Sequence, residues 1–288
     1  MVPVFRYFKP AYDLWSDRQA PRLGAAVSFY AIFSVTPLVL MAVTVAGLFV
    51  DATFARREFL SELAELFGSG AADAVKAMID AAANASHKGP WAGVVSAVAL
   101  LIGASGVFVE LRYALDAIHD NKRGRDGFVS WFMRGRLWSL ALVLAVGFLL
   151  LVSLIASAMI AAMGSWLTSR FPVLGFIAIV LNLLLSLAVL TALFGMLMRW
   201  LPSCRRPWRN VWIGALLAAV LLEAGKELLG LYLGRAAFAD AYGAAGGLVV
   251  LVMWIYFSVQ VFLFGAAFNE VRKLKDRSSP SKAVLSHG

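Results

Sequence analysis

The sequence predicts an all-α, polytopic membrane protein with six transmembrane helices. Three observations predict it. Of the 288 residues, 61% are hydrophobic and only 15% are charged, far from the roughly 45–50% and 25% of soluble domains. The apolar residues fall in runs of about twenty, long enough for a ~30 Å hydrocarbon core at ~1.5 Å per residue. Lysine and arginine then alternate in abundance between successive connecting segments.

The predicted spans are Val27 to Val50, Trp91 to about Val109, Leu137 to Met163, Val173 to Met198, Val211 to Leu233 and Leu248 to Phe268. The first run exceeds the apolar length of a signal peptide and no clear cleavage site follows it, so it reads as a retained span. Basic residues number four before the first span, six between the second and third, four between the fourth and fifth, and five in the tail. The intervening connections carry four, one and one. Cytoplasmic loops collect Lys and Arg, so nineteen against six places both termini in the cytoplasm of a bacterial inner membrane. The same pattern accounts for the net charge of +9 without invoking nucleic acid.

Three regions follow: a cytoplasmic amphipathic segment over 1–26, a six-helix transmembrane domain over 27–271, and a basic, disordered cytoplasmic tail over 272–288. Phe5, Phe8, Tyr12 and Trp15 recur at helical spacing beside Arg6, Lys9 and Arg18. That segment either lies on the inner leaflet or simply anchors the first span. The periplasmic loop 51–90 predicts two short amphipathic helices, one with Phe59, Leu63, Leu66 and Phe67, the other with Val75, Met78 and Ile79. Gly68 and Gly70 separate them.

Polar groups within a membrane are costly and therefore informative. The fifth span holds Glu223, Lys226 and Glu227 on one helical face. Its Leu, Ile and Val residues supply roughly −5 kcal/mol toward insertion, while three central charges cost up to about +8 kcal/mol. This helix needs partners, internal pairing or water. A pair that locks helix packing and a charged site facing a cavity are both open readings. Other spans contribute polar positions: Ser96 and Glu110 in and just after the second, Ser153 and Ser157 in the third, Asn182 and Ser186 in the fourth, Tyr256 and Gln260 in the sixth. In the first span Tyr30, Ser34, Pro37, Met41 and Thr44 form a stripe, and Pro37 is a candidate hinge because it frees a backbone carbonyl. The Gly-rich faces permit a homodimer.

No enzymatic centre is legible. The histidines are His87, His119 and His287, and they lack metal-ligand spacing. Asp116, His119 and Asp120 recur at i, i+3 and i+4 at the end of the second span. They could hold a metal, but a solvated helix end is the simpler reading. No phosphate-binding loop, nucleophile elbow or zinc-protease motif is present, and no cofactor is implied. The lone Cys204 excludes an intrachain disulfide.

Four segments carry a resemblance: GAAVSFYAIFSVTPLVLMAVTVAGLF from Gly24, GASGVFVELRYALDAIHD from Gly103, GKELLGLYLG from Gly225 and AYGAAGGLVVLVMWIYFSVQVFLFGAAFNEV from Ala241. Together they resemble the YihY/BrkB family of bacterial inner-membrane proteins, long labelled ribonuclease BN. The resemblance implies six spans and an inner-membrane location. It also implies that Lys226, Gly243, Ala244, Tyr256 and Gly265 match family positions. Where the family reads Gly-Ala-Glu, this chain has Ala267, with Asn269 and Glu270 just beyond. The histidines give the ribonuclease label no support. The expected activity is transport of a lipid-like amphiphile or anionic envelope precursor through the polar interior. Proton- or sodium-coupled efflux of a small solute, or a non-transporting envelope scaffold, are the alternatives. Membrane lipid is the expected partner.

Overall fold

The computed structural model describes residues 4–32, 106–120, 172–204, 206–235 and 246–278, with scattered positions between 53 and 80. Among these residues every regular element is helical. A 3-10 turn, Val4–Tyr7, leads into α1, Phe8–Asp17. Helix α2 occupies 20–32 and α3 occupies 106–118. The three longest helices follow: α4, Pro172–Trp200; α5, Trp212–Arg235; and α6, Gly246–Ser278. Pro37, the third span, the side chains of Asn182 and Glu227, and the tail after 278 lie outside the described residues.

The long helices start and stop where backbone chemistry dictates. Pro172 opens α4, where its missing N–H costs nothing. Pro202 closes α4 by forcing Leu201 away from helical geometry. A 3-10 turn, Trp208–Asn210, follows Pro207 and feeds α5. Two described stretches are long and apolar enough to cross a membrane: Leu183–Trp200, with a mean hydropathy of 1.9, and Val249–Lys275, with 2.1. Helix α5 has the length, at 24 residues, but Glu223, Lys226 and Glu227 sit within it. The 27 residues from Val249 measure roughly 40 Å against a ~30 Å core. The uninterrupted apolar run ends at Phe268, and Glu270, Arg272, Lys273 and Lys275 follow it in the last turns of α6.

Outward-facing apolar residues fit this solvent. Leu181, Leu184, Trp212, Ile213, Leu216 and Val220 are all exposed, a surface that water would penalise and lipid tails accept.

The chain divides into two compact units. The first comprises 1–18, 115–223 and 262–288. In it, α1 docks on the end of α6: Ala11, Phe268 and Val271 form a buried cluster, with Tyr7, Phe8, Leu14, Leu217 and Phe264 packed around it. Phe8 meets Phe268 edge-on at 5.6 Å. A ten-residue helix is marginal alone, and this contact is what stabilises it. The aromatic stripe read from the sequence is thereby divided. Phe8 turns to protein, while Tyr12 stays 58% exposed and stacks on Trp15.

The same unit contains a close crossing of α5 and α6. A Cβ at Gly214 would lie 2.2 Å from the Gly265 carbonyl oxygen, and one at Gly265 would lie 2.5 Å from the Gly214 carbonyl oxygen. Asn269 consolidates the crossing. Its Oδ1 accepts a hydrogen bond from Gly214 N at 2.8 Å, and its Nδ2 donates to Val211 O at 3.0 Å. A side chain of α6 thus caps the first turn of α5, whose amides have no partners within their own helix.

The second unit comprises 19–114 and 224–261. Here Gln260 Nε2 donates to the carbonyls of Ala20 and Pro21 at 3.4 and 3.3 Å. Gly24 leaves room for that amide, because a Cβ there would come within 2.1 Å of it. Tyr30 packs over Gly106, and Phe257 over Gly225. In the 53–80 region Val75 and Ile79 are buried and Arg56 pairs with Asp80; Met78 and the predicted stripe of Phe59, Leu63, Leu66 and Phe67 lie outside the described residues.

Candidate functional site

A dense polar cluster lies in the first unit, where the end of α3, the segment 201–211 and the end of α6 meet. Helix α3 closes with His119 N donating to Leu115 O at 3.0 Å. Asp120 then adopts a left-handed backbone, with φ of 52°, which aspartate tolerates at helix ends. These three positions present Asp116, His119 and Asp120 to different partners. Asp116 accepts from Ser203 N at 2.9 Å and Ser203 Oγ at 2.5 Å. Asp120 accepts from Arg18 Nη1 at 2.8 Å. His119 Nδ1 approaches Glu270 Oε2 at 3.3 Å.

Glu270 is the centre of the cluster. Its Oε2 pairs with Arg206, and its Oε1 accepts from Lys273 Nζ at 3.2 Å. The side chains of His119, Glu270 and Arg206 are 4%, 8% and 12% exposed. Burial by itself would raise the Glu270 pKa, but the His119 contact and the charges of Arg206 and Lys273 outweigh it and lower the value to about 2. Burial lowers the His119 pKa below 6.5. The Glu270 contact opposes that shift, while Arg206 and Lys273 add to it. The imidazole is therefore neutral and the carboxylate ionised at neutral pH.

A cavity of about 180 Å³ opens beside this cluster, lined by Asp116, His119, Asp120, Arg206 and Lys273 together with Pro202 and Cys204. Among the described residues no group of three His, Cys, Asp or Glu side chains is placed to hold a metal ion. The i, i+3, i+4 trio diverges instead onto separate partners. Nearby, Lys275 Nζ donates to Arg6 O at 3.2 Å and sits 5.0 Å from the centre of the Tyr7 ring. Four chain segments thus converge: 6–18, 116–120, 203–206 and 270–275. They are the four segments that the charge count assigns to one side.

The residues singled out from the sequence behave differently. Glu223, the twelfth residue of α5, is half-buried, and its Oε2 lies 3.5 Å from Ser186 Oγ on α4. That distance is long for a hydroxyl–carboxylate bond, but it brings together two predicted polar positions of the fourth and fifth spans. Lys226, Glu110 and Tyr256 are half-buried. Gln260 is spent on backbone carbonyls. Sequence reasoning missed Glu270 and Arg206 as a pair, and Asn269 as a cap. The available signal was a carboxylate and an amide side by side just past the last apolar turn.

A family model described as virulence factor BrkB matches residues 11–285. A UPF0761 membrane protein of Pseudomonas paraeruginosa is 26% identical over 273 residues, covering 93% of this chain and 64% of the relative. A UPF0761 membrane protein of Actinobacillus pleuropneumoniae is 24% identical over 270 residues, covering 91% of this chain and 94% of the relative. One from Verminephrobacter eiseniae is 37% identical over 83 residues, 28% of this chain and 20% of the relative. The chain spans 64% of the length of the Pseudomonas relative. No solved structure matches it. With the family model covering nearly its whole length and these relatives named as membrane proteins, the chain is a membrane protein of the YihY/BrkB family.

Proposed function

We propose that the chain crosses a bacterial inner membrane six times, with both ends cytoplasmic, and moves an anionic amphiphile without covalent chemistry. The observation that carries the transport reading is the charged turn midway along α5. A membrane-length helix holds Glu223 and Lys226 half-buried where lipid-facing residues alone would insert better. Lys226 attracts the anionic group. The carboxylates balance its charge or carry a proton.

The convergence of the four basic segments supports the topology. Two crossings separate each from the next, so all four fall on one face. Cys204 is exposed and is the only cysteine, which makes it a reporter. A membrane-impermeant maleimide is expected to label it in inverted vesicles and not in cells with only the outer membrane permeabilised. Labelling in the latter would reverse the orientation.

Transport is tested with purified protein in liposomes and fluorescent short-chain phosphatidylglycerol, with the phosphatidylcholine analogue as control. Lys226→Ala is expected to reduce phosphatidylglycerol movement about tenfold or more, the effect of removing one charged partner. Normal insertion with unchanged flux would remove Lys226 from the mechanism. Equal movement of both lipids with and without protein would favour a scaffold.

A further inference from the structure

The turn between α4 and α5 carries a basic, tryptophan-rich surface that neither the charged cluster nor the α5 midpoint uses. Trp200, Trp208 and Trp212 form a continuous aromatic group. Trp208 stacks on Trp212 at 5.4 Å, with 26° between planes, and meets Trp200 edge-on at 5.8 Å. The Arg199 guanidinium lies 4.7 Å from the centre of the Trp208 ring, and its Nη1 donates to Arg206 O at 3.0 Å. Its orientation is therefore set, yet its buried Nε has no hydrogen-bond partner among the described residues. Arg209 is exposed on the 3-10 turn.

The charge here is one-sided. No Asp or Glu occurs from Arg199 to Leu222. Arg206 is held by Glu270, and Arg199 and Arg209 have no acid within their own stretch of sequence. The N-terminal end of α5 adds partial positive charge. Directly continuous with this cap, Trp212, Ile213, Leu216 and Val220 are exposed along one side of α5. A cationic cap with an interfacial tryptophan group, joined to an apolar stripe, matches one ligand in both halves: a phosphate headgroup and its acyl chain.

We infer that the α4–α5 turn is a seat for an anionic phospholipid. The phosphate sits against Arg199 and Arg209 at the tryptophan group. An acyl chain lies along Ile213, Leu216 and Val220. This lipid is a bound component of the protein surface, separate from any molecule carried past Lys226.

The test uses the full chain in phosphatidylcholine nanodiscs containing either brominated phosphatidylglycerol or brominated phosphatidylcholine at equal mole fraction. Bromine quenches nearby tryptophan fluorescence. Phosphatidylglycerol is expected to quench the Trp208 and Trp212 contribution more strongly, with about fivefold local enrichment per arginine. That contribution is isolated by difference from the Trp208→Phe/Trp212→Phe variant. Arg209→Gln, at an exposed position, is expected to lose about fivefold of the enrichment, and Arg199→Gln/Arg209→Gln to abolish it. Arg6→Gln removes a basic residue from another site and is expected to leave the excess unchanged. Equal quenching by both lipids would overturn the assignment. So would an equal loss in Arg6→Gln, which would mean diffuse attraction and no seat.

Discussion

Gly265→Val is expected to prevent stable folding, with a cost of about 3 kcal/mol or more. A Cβ at this position would meet the Gly214 carbonyl oxygen at 2.5 Å, Ala218 Cβ at 2.9 Å and Met198 Cε at 3.1 Å. The methionine could swing aside, but a helix carbonyl could not. The encounter is reciprocal, since a Cβ at Gly214 would strike the Gly265 carbonyl and Asn269 Cγ. Any side chain at either site forces α5 and α6 apart and withdraws Asn269 from the first turn of α5. Thermal unfolding in detergent, followed by size-exclusion profile, measures the effect. Gly195→Ala is the control: its nearest neighbour is Trp208 Cζ3 at 3.6 Å, ordinary contact, and alanine is favoured in helices by about 1 kcal/mol. It is expected to be neutral or mildly stabilising. A Gly265→Val protein that unfolds with the wild type would show that the two backbones are not in contact.

The α5–α6 crossing also marks the boundary of what is legible in sequence. Membrane-length helices follow from apolar run length, and α4 and α6 lie where the runs predict them. The charge count groups four segments onto one side, and the same four are linked by polar contacts: Arg18 with Asp120, Asp116 with Ser203, Glu270 with His119 and Arg206, and Lys275 with Arg6. Periodicity was less informative about partners. It placed Asp116, His119 and Asp120 at one helix end, but each takes a partner from a different part of the chain. Tyr256 and Gln260 read as a polar pair four residues apart. Gln260 instead reaches the carbonyls of Ala20 and Pro21, an arrangement that needs a glycine at 24. Asn269 and Glu270 were visible only as polar residues after the last apolar turn. A cap supplied by one helix to another has no local signature, unlike a serine or aspartate placed at its own helix start.

Glu270→Gln is the second change expected to have a large effect, because it removes the one carboxylate that Arg206, His119 and Lys273 share. Arg206 is 12% exposed. Breaking a buried pair from one side costs about 3–5 kcal/mol. The lower end is expected here, since Lys273 can turn toward solvent. Glu270→Gln/Arg206→Met should recover part of the loss, as it removes the stranded charge. The pH dependence has a defined sign. The unfolded chain takes up a proton at His119 near 6.5, whereas the buried imidazole resists protonation. Stability therefore falls as pH drops below 6.5. Glu270 titrates at about 2 when folded against 4.5 ordinarily. Its contribution is complete above 4.5 and is lost as pH falls toward 2. The wild type is accordingly expected to lose stability in two stages on acidification. His119→Gln should flatten the first stage and keep the second; Glu270→Gln should weaken the protein at neutral pH and remove the second. Unfolding midpoints measured across pH for the three proteins decide it. A wild-type profile that is flat from 6.5 downward would mean that burial does not hold His119 neutral.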